Sequence, residues 1–104
     1  MASNDGSGYL TNLLDGAETD GNGTPATMAF VNIRGMYGVC QCSGFGTATV
    51  TVRGRVTSNH AWKTITQFTA DDAVEVVLFP EMQAVVSGYS SGTYYVDILG
   101  KVRQ

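Results

Sequence analysis

The feature that most constrains the fold is the alternation of apolar and polar residues between Thr47 and Thr57. Valine and alanine occupy most of one set of alternate positions, and threonine and arginine occupy most of the other. A period of two places such sets on opposite faces of a β-strand, one against a core and one toward water. Helical periodicity is nearly absent elsewhere, so the pattern predicts an all-β protein.

Other β-branched and aromatic runs are separated by glycine, proline, asparagine and aspartate, which mark turns. We predict turns at Ser43–Gly46 and Ser87–Gly92, with Gly54 inside a strand as a bulge or bend. No crossover helix fits between the runs, which excludes a parallel sheet. The pattern favours an antiparallel β-sandwich, jelly-roll-like, of about eight short strands. The predicted strands are 8–14, 28–33, 36–42, 47–57, 62–68, 73–79, 82–86 and 93–99.

A chain of 104 residues is expected to form one domain. Residues 1–8 are small or polar apart from Met1 and predict a flexible N-terminal arm, so the single β-sandwich domain is assigned to 9–104. The apolar residues at 9–14 leave two alternatives open. They form either the first core strand or the end of an arm that becomes ordered against a neighbouring subunit.

Charge is low and unevenly distributed. Charged residues make up 14% of the chain and the formal net charge is −3, so diffuse attraction to nucleic acid is not expected. Residues 1–20 contain four acids and no base, whereas residues 21–70 contain four bases and no acid. Either an acidic arm of one subunit meets a basic face of another, or the distribution is chance. The sequence has neither a signal-peptide pattern nor an apolar run of membrane-spanning length.

Candidate catalytic groups are few. His60 lies in a predicted turn with no nucleophile motif nearby, and Asp71-Asp72 is the only acidic pair, placed between strands where it would cap a turn. Gly44-x-Gly46 lacks the lysine and helix of a phosphate loop. The sequence therefore predicts neither an enzyme nor a bound cofactor.

Metal sites are not predicted either. Cys40 and Cys42 are separated by one residue on a predicted strand, so they share a face and are poorly placed to bond each other. We expect two buried free thiols, since no histidine or further cysteine is near them to complete a zinc site. The loop 15–25 begins with Asp15 and contains Asp20, but it lacks the alternating ligands and closing glutamate of a calcium loop.

The last strands are apolar on both faces, which is more than a small monomer usually exposes. The second apolar set either lies under loops or contacts another subunit, and we favour the subunit. Together with the apolar start of the chain, this predicts the residues of a contact with another subunit: Tyr9, Leu10, Val77, Phe79, Val85, Tyr95 and Leu99.

A nucleic-acid-binding barrel of the OB type is the alternative from another functional class. Such a barrel combines a basic groove with aromatic rings on which bases stack. Trp62 would supply a ring, although we expect this residue to anchor the core. The other candidate groove residues are Arg34, Tyr37, Arg53, Arg55 and Lys63.

The segment from Ala61 to Gln104, about 44 residues, resembles small β-sandwich proteins encoded among phage head genes. The similarity lies in the order of features: Trp62 opening a strand, Phe68-Thr69-Ala70 before the next strand, a Leu78-Phe79-Pro80 turn, a strand ending Val86-Ser87-Gly88, and an aromatic last strand from Tyr94.

The resemblance implies a virion protein without catalytic residues, of the capsid cement or decoration type. Its partners would be the major capsid protein and itself, as a homo-oligomer (dimer or trimer). The protein would be made in the host cytoplasm and then reside in the virion. A head–tail or tail component of the virion is the alternative within the same setting.

Overall fold

The computed structural model describes residues 8–27 and 37–101, and within these ranges the protein consists of strands and connections with no helix. Every strand pairing is antiparallel, which confirms the all-β antiparallel class. The strands are β1 (Gly8–Ala17), β2 (Gly21–Asn22), β3 (Ala26–Thr27), β4 (Tyr37–Arg55), β5 (Lys63–Phe68), β6 (Asp72–Val77) and β7 (Glu81–Lys101).

Two long strands, β4 and β7, form the centre of a seven-stranded sheet. They pair from Tyr37 with Lys101 to Arg55 with Glu81. The C-terminal part of β7 also pairs with β1, and the N-terminal part of β4 with β6. We call this part of the sheet the β1 half. In the remaining part, the β5 half, β7 pairs with β2 and β3 while β4 pairs with β5.

The turns predicted at Ser43–Gly46 and Ser87–Gly92 are wrong, because β4 and β7 continue through both segments. The pairing shifts register three times between Ser43 and Thr49. Gly44 and Gly92 adopt positive φ angles of 86° and 113°, which residues with a Cβ rarely tolerate. These glycines therefore introduce bulges and a bend, so the predicted short strands are joined into long ones.

One face of this bent sheet is buried along both halves. In β4 and β7, alternate residues are inaccessible to solvent both before and after the bend. The buried residues of both halves belong to one core cluster, so the two halves pack on each other. The fully buried residues of β4 and β7 are Cys40, Cys42, Val50, Val52, Met82, Ala84, Tyr94, Val96 and Ile98. All seven strands belong to one sheet, and the predicted jelly-roll connectivity stays a prediction.

Tyr94 fixes the bend from inside the core. Its hydroxyl donates a hydrogen bond to the carbonyl of Ser91 at 2.7 Å and accepts one from the amide of Gly46 at 3.3 Å. Its ring meets Phe45 edge-on, with ring centroids 4.9 Å apart. The buried hydroxyl is thus paired, and the ring links β4 to β7 where the strands bend.

The first strand belongs to the core. β1 pairs with β7 from Gly8 to Ala17, and Leu13 and Leu14 are buried beside the central strands. The pairing contains a bulge between Asn12 and Leu14, which allows both leucines to face inward. Of the two alternatives for residues 9–14, the structure shows a core strand. Gly8, the last residue of the arm predicted at 1–8, begins β1 instead. Residues 1–7 of that arm and the strand predicted at 28–33 lie outside the described residues.

The bend predicts a large difference between two glycine substitutions. A Cβ at Gly44 would lie 1.7 Å from the carbonyl oxygen of Thr93, whereas a Cβ at Gly88 would meet nothing within 4 Å. Both glycines have positive φ, so both alanine variants carry the backbone penalty of roughly 1 kcal/mol. We expect Gly44→Ala to lower the free energy of unfolding by at least about 3 kcal/mol more than Gly88→Ala does, measured by urea denaturation. Equal losses would show that β4 does not bend as described.

Candidate functional site

The outward face of the β1 half carries a row of exposed apolar side chains. Leu10 of β1 pairs with Leu99 of β7, and Leu99 pairs on its other side with Val39 of β4. Their exposed fractions are 73%, 42% and 37%. Because directly paired residues project from the same face of a sheet, the three side chains are neighbours. They form an apolar strip that crosses three strands.

Three further exposed residues lie on the same outward face of the sheet. Tyr37 pairs with Val77 of β6 two positions from Val39, and Tyr95 lies on the same face of β7 as Leu99. All three are exposed. We call the whole set the apolar face; its members are Leu10, Tyr37, Val39, Val77, Tyr95 and Leu99.

Polar groups border the strip on one side. Asn12, Asp97 and Gln41 pair across β1, β7 and β4 in the row next to it. The Asn12 amide donates to Asp97 Oδ1 at 2.9 Å and to the carbonyl of Leu14 at 2.8 Å. Within residues 8–27 and 37–101, the Gln41 side chain has no hydrogen-bond partner. A shallow depression of about 410 Å³ lies among these groups and the apolar strip.

Four of the predicted contact residues meet on this face: Leu10, Val77, Tyr95 and Leu99. Phe79 instead lies half-buried against the core, directly over Gly54. Val85 is half-buried in the β5 half, where it pairs with Thr51 and Asn22. The backbone of Tyr9 pairs with Gly100, and its side chain lies outside the described part of the structure.

Sequence reasoning missed Tyr37 and Val39 as members of the face. Their signal was present in the alternation of this segment, in which both residues alternate with Gly38, Cys40 and Cys42. The glycine and cysteines are buried, so the tyrosine and valine must point outward. The signal within the segment for the exposed face is Gln41, the polar residue that alternates with the buried cysteines on the same side as Tyr37 and Val39.

A second surface group lies on the outward face of the β5 half. Arg55 donates to Glu81 at 2.7 Å, and Arg53 donates to Gln83 Oε1 from Nε at 2.9 Å and from Nη2 at 2.6 Å. The Trp62 ring lies 3.9 Å from the Arg55 guanidinium carbon and 5.3 Å from that of Arg53. The prediction that Trp62 anchors the core is therefore wrong. Its ring covers cations at the surface instead.

This arrangement separates the groups of the predicted nucleic-acid groove. The guanidiniums of Arg53 and Arg55 are held by side chains of β7 and by the indole ring. Tyr37 lies at the opposite end of β4, in the β1 half. Arg34 lies outside the described residues. Arg53 and Arg55 thus form an internally paired structural cluster with Trp62, and the described groups of the predicted groove are not all brought together.

The acidic loop after β1 is joined to its own chain. Glu18 Oε2 accepts a hydrogen bond from the Thr93 hydroxyl at 2.8 Å, and Asp20 Oδ1 accepts one from the backbone amide of Tyr89 at 2.7 Å. These carboxylates stabilise the bend of β7. Glu18 and Asp20 thus contact β7 of their own chain, and the predicted contact between an acidic arm and a neighbouring basic surface stays a prediction.

The other titratable candidates serve the backbone. Asp71 accepts a hydrogen bond from the amide of Phe45 at 2.9 Å, and Asp72 accepts one from the amide of Ala73 at 2.8 Å. His60 is exposed in a turn, where its amide donates to the carbonyl of Thr57 at 3.1 Å. No group of three metal-binding side chains occurs in the described residues. No helix among them is long and apolar enough to cross a membrane.

Both cysteines are free and fully buried, as the sequence predicted. Burial raises the pKa of each thiol to about 12. The charge of Cys42 adds to this effect on Cys40, and the charge of Asp97 contributes less. A nucleophilic cysteine needs a depressed pKa and access to solvent, and these thiols have neither.

The comparisons with known proteins leave the surface as the main guide to function. No protein-family model matches the sequence, no curated protein matches it, and no solved structure matches the fold. The resemblance to phage head proteins therefore depends on the pattern of residues from Ala61 to Gln104.

The buried thiols predict slow labelling and a fall in stability at alkaline pH. A thiol-specific disulfide reagent at pH 8 should modify Cys40 and Cys42 at least about 100-fold faster in denaturant than in buffer. The folded thiols hold their protons more tightly than the unfolded ones, whose pKa is near 9. The free energy of unfolding should therefore fall as the pH rises from about 9 toward 12, by up to about 1.4 kcal/mol per pH unit for each thiol.

The double variant Cys40→Ala/Cys42→Ala is the control, since it retains the tyrosines that also titrate in this range. Its stability should fall less steeply with pH than that of the wild type. Equal slopes, or rapid labelling of the folded protein, would contradict the buried placement.

The Arg–Trp cluster predicts that removing an arginine lowers stability and that the protein does not bind nucleic acid. We expect Arg55→Ala to lower the free energy of unfolding by about 1–2 kcal/mol, because the ion pair and the indole contact are both removed. Lys63→Ala removes an exposed charge with no ion pair among the described residues and should change stability by less than about 0.5 kcal/mol. Neither variant nor the wild type should bind a fluorescent single-stranded oligonucleotide near physiological salt. Micromolar binding with a steep salt dependence would restore the nucleic-acid hypothesis.

Proposed function

We propose that the protein is a structural component of a phage virion, a cement or decoration protein that binds the outside of the capsid and reinforces contacts between capsid subunits. The observation that carries the proposal is the apolar face of the β1 half, a surface suited to association with another protein chain, either a capsid subunit or a second copy of this chain. Large exposed apolar patches on small proteins mark interaction surfaces. The resemblance from Ala61 to Gln104 supplies the virion setting, and the major capsid protein is the partner it implies.

The size of the apolar face supports a role in protein association. With fully exposed residue areas of roughly 150–200 Å², its six side chains expose on the order of 500 Å², near the upper end for the largest patch on a monomer. The face lies on paired strands of a hydrogen-bonded sheet. A surface of this kind can bind without first paying the entropy of ordering a loop.

The construction of the domain also suits a protein that reinforces a shell. The core extends over both halves of one sheet, and the central strands are paired for most of their length. Capsid reinforcement requires many equivalent contacts that act together, since each contact alone is weak. A stiff domain transmits load between such contacts better than a flexible one.

A head–tail or tail component would use the same kind of surface and is the alternative within the virion. The two differ in the number of copies on each particle, which is large for a shell protein and small for a component at one vertex. The described structure offers no observation that favours nucleic-acid binding over these roles.

The function is tested with particles of the phage that encodes the chain, prepared from a deletion mutant. Purified protein should co-sediment with these particles in many copies. It should also raise the temperature at which they release their genome, measured with a DNA-binding dye. Electron microscopy of the restored particles should show added density at repeated positions on the shell.

The control is the Gly44→Ala variant at the same concentration, because a misfolded domain of nearly identical composition should remain in the supernatant. Absence of the wild-type protein from the particle fraction at saturating concentration would contradict the proposal. A few copies at a single vertex would favour the head–tail or tail alternative.

A further inference from the structure

We infer that the apolar face is the interface of a symmetric homodimer, in which the β1 half of one copy packs face to face on the β1 half of the other. The inference deepens the proposed function and rests on it for the idea that the chain works through protein contacts. It commits to one occupant of this face, a second copy of the chain.

The position of the apolar residues fits a two-fold interface. Leu99 and Val39 are paired on the two central strands of the four-stranded β1 half. Leu10 pairs with Leu99 on one side, Glu75 pairs with Val39 on the other, and Tyr37 with Val77 lies in the next row. In an isologous interface the same patch meets itself, so the residues near the two-fold axis contact their own copies. The Leu99–Val39 pair is the centre of the patch and is placed to lie at the axis.

The area agrees with that of a stable dimer. A standard interface buries roughly 800 Å² on each partner, with an apolar centre and a polar rim. The five apolar side chains on the near side of the polar row supply on the order of 400 Å² of the centre, and Tyr95 lies beyond that row. The neighbouring row of Asn12, Asp97 and Gln41 and the exposed Glu75 at the end of the strip supply the rim.

The rim is self-complementary. Asp97 uses Oδ1 to accept the Asn12 amide at 2.9 Å, and its other carboxylate oxygen makes no hydrogen bond within the described residues. The neighbouring Gln41 amide has no partner there either. Each copy thus presents one donor and one acceptor that are unused within the described residues. A two-fold axis parallel to the strands and between β4 and β7 would bring the donor of each copy toward the acceptor of the other. Both hydrogen bonds would then form by symmetry.

The dimer gives the proposed cement role a mechanism. Pairing through the apolar face leaves the outward face of each β5 half free, one on each side of the dimer. Two identical surfaces related by a two-fold axis can bind two capsid subunits at once. The dimer would therefore act as a bridge, and a monomer could not.

The first experiment measures mass in solution. The wild-type protein should elute at twice its monomer mass of 11.0 kDa by light scattering at micromolar concentration. Leu99→Lys and Leu10→Lys should each weaken association by at least about 100-fold, because each places a charge in an apolar interface. Val56→Lys is the matched control: Val56 is 56% exposed but lies beyond the end of β4, outside the face, and this variant should remain dimeric.

Circular dichroism and thermal melting of the lysine variants separate loss of association from loss of folding. Leu10 is 73% exposed, so Leu10→Lys should retain a folded monomer even if Leu99→Lys does not. A monomeric wild type overturns the inference. So does a dimer that both lysine variants leave intact.

The second experiment tests the symmetry. Single cysteines are introduced as Leu99→Cys, Val39→Cys and, for the control, Val56→Cys; the native thiols are buried and do not interfere. Under mild oxidation, Leu99→Cys or Val39→Cys should form a covalent dimer, because residues at a two-fold axis meet their own copies. Val56→Cys should stay reduced. A dimer that neither central cysteine crosslinks uses another surface and contradicts the inference.

Particle binding by Leu10→Lys distinguishes this inference from the proposed function. A monomeric variant that binds particles more weakly and no longer raises their stability supports the bridge. If the wild type is monomeric and still binds particles, the inference fails and the proposed function stands. If the wild type is dimeric through this face and does not bind particles, the dimer stands and the proposed function fails.

Discussion

The rest of the structure depends on the pairing of β4 with β7. These strands are paired side by side along almost their whole length, and every other strand of the described chain pairs with one of them. Without a bend, such a sheet would expose two broad faces to water. The glycines at 44 and 92 allow the bend, and the Tyr94 hydroxyl and ring hold it. The described strands can therefore bury a core within one sheet.

The bend also decides which apolar residues remain outside. Strands that alternate between two apolar faces can bury only one of them when the halves of the sheet close on each other. The inward face holds Cys40, Val96 and Ile98, while the outward face of the same strands holds Val39 and Leu99. On the outward face of the β5 half, charged and polar side chains such as Arg53 and Arg55 take these positions. The outward face of the β1 half carries the apolar face instead, and this difference makes it the candidate for association.

Much of the fold could be predicted from the sequence, because period-two alternation is a local property. The strands at 47–57, 62–68 and 73–79 and the buried thiols follow from it. The joining of short strands into long ones could not be predicted, since a glycine-rich segment between two strands suits a hairpin turn and a bulge equally well. Only the long-range pairing of Phe45 with Gly92 and Thr47 with Ser91 distinguishes them. The location of Trp62 was missed for a similar reason: a half-buried indole packs on an apolar core or on arginine side chains, and the sequence alone favours the core.

The most direct test of the account is the solvent accessibility of individual methyl groups in the intact protein. A soluble paramagnetic agent broadens the methyl resonances of exposed side chains in NMR spectra, and Val56, which is 56% exposed, provides an internal reference. If a second copy covers the apolar face, the methyls of Val39 and Leu99 should be protected at millimolar protein concentration. They should lose that protection in the Leu10→Lys variant. Broadening of Val39 and Leu99 in the wild type to the same extent as Val56 would contradict the account.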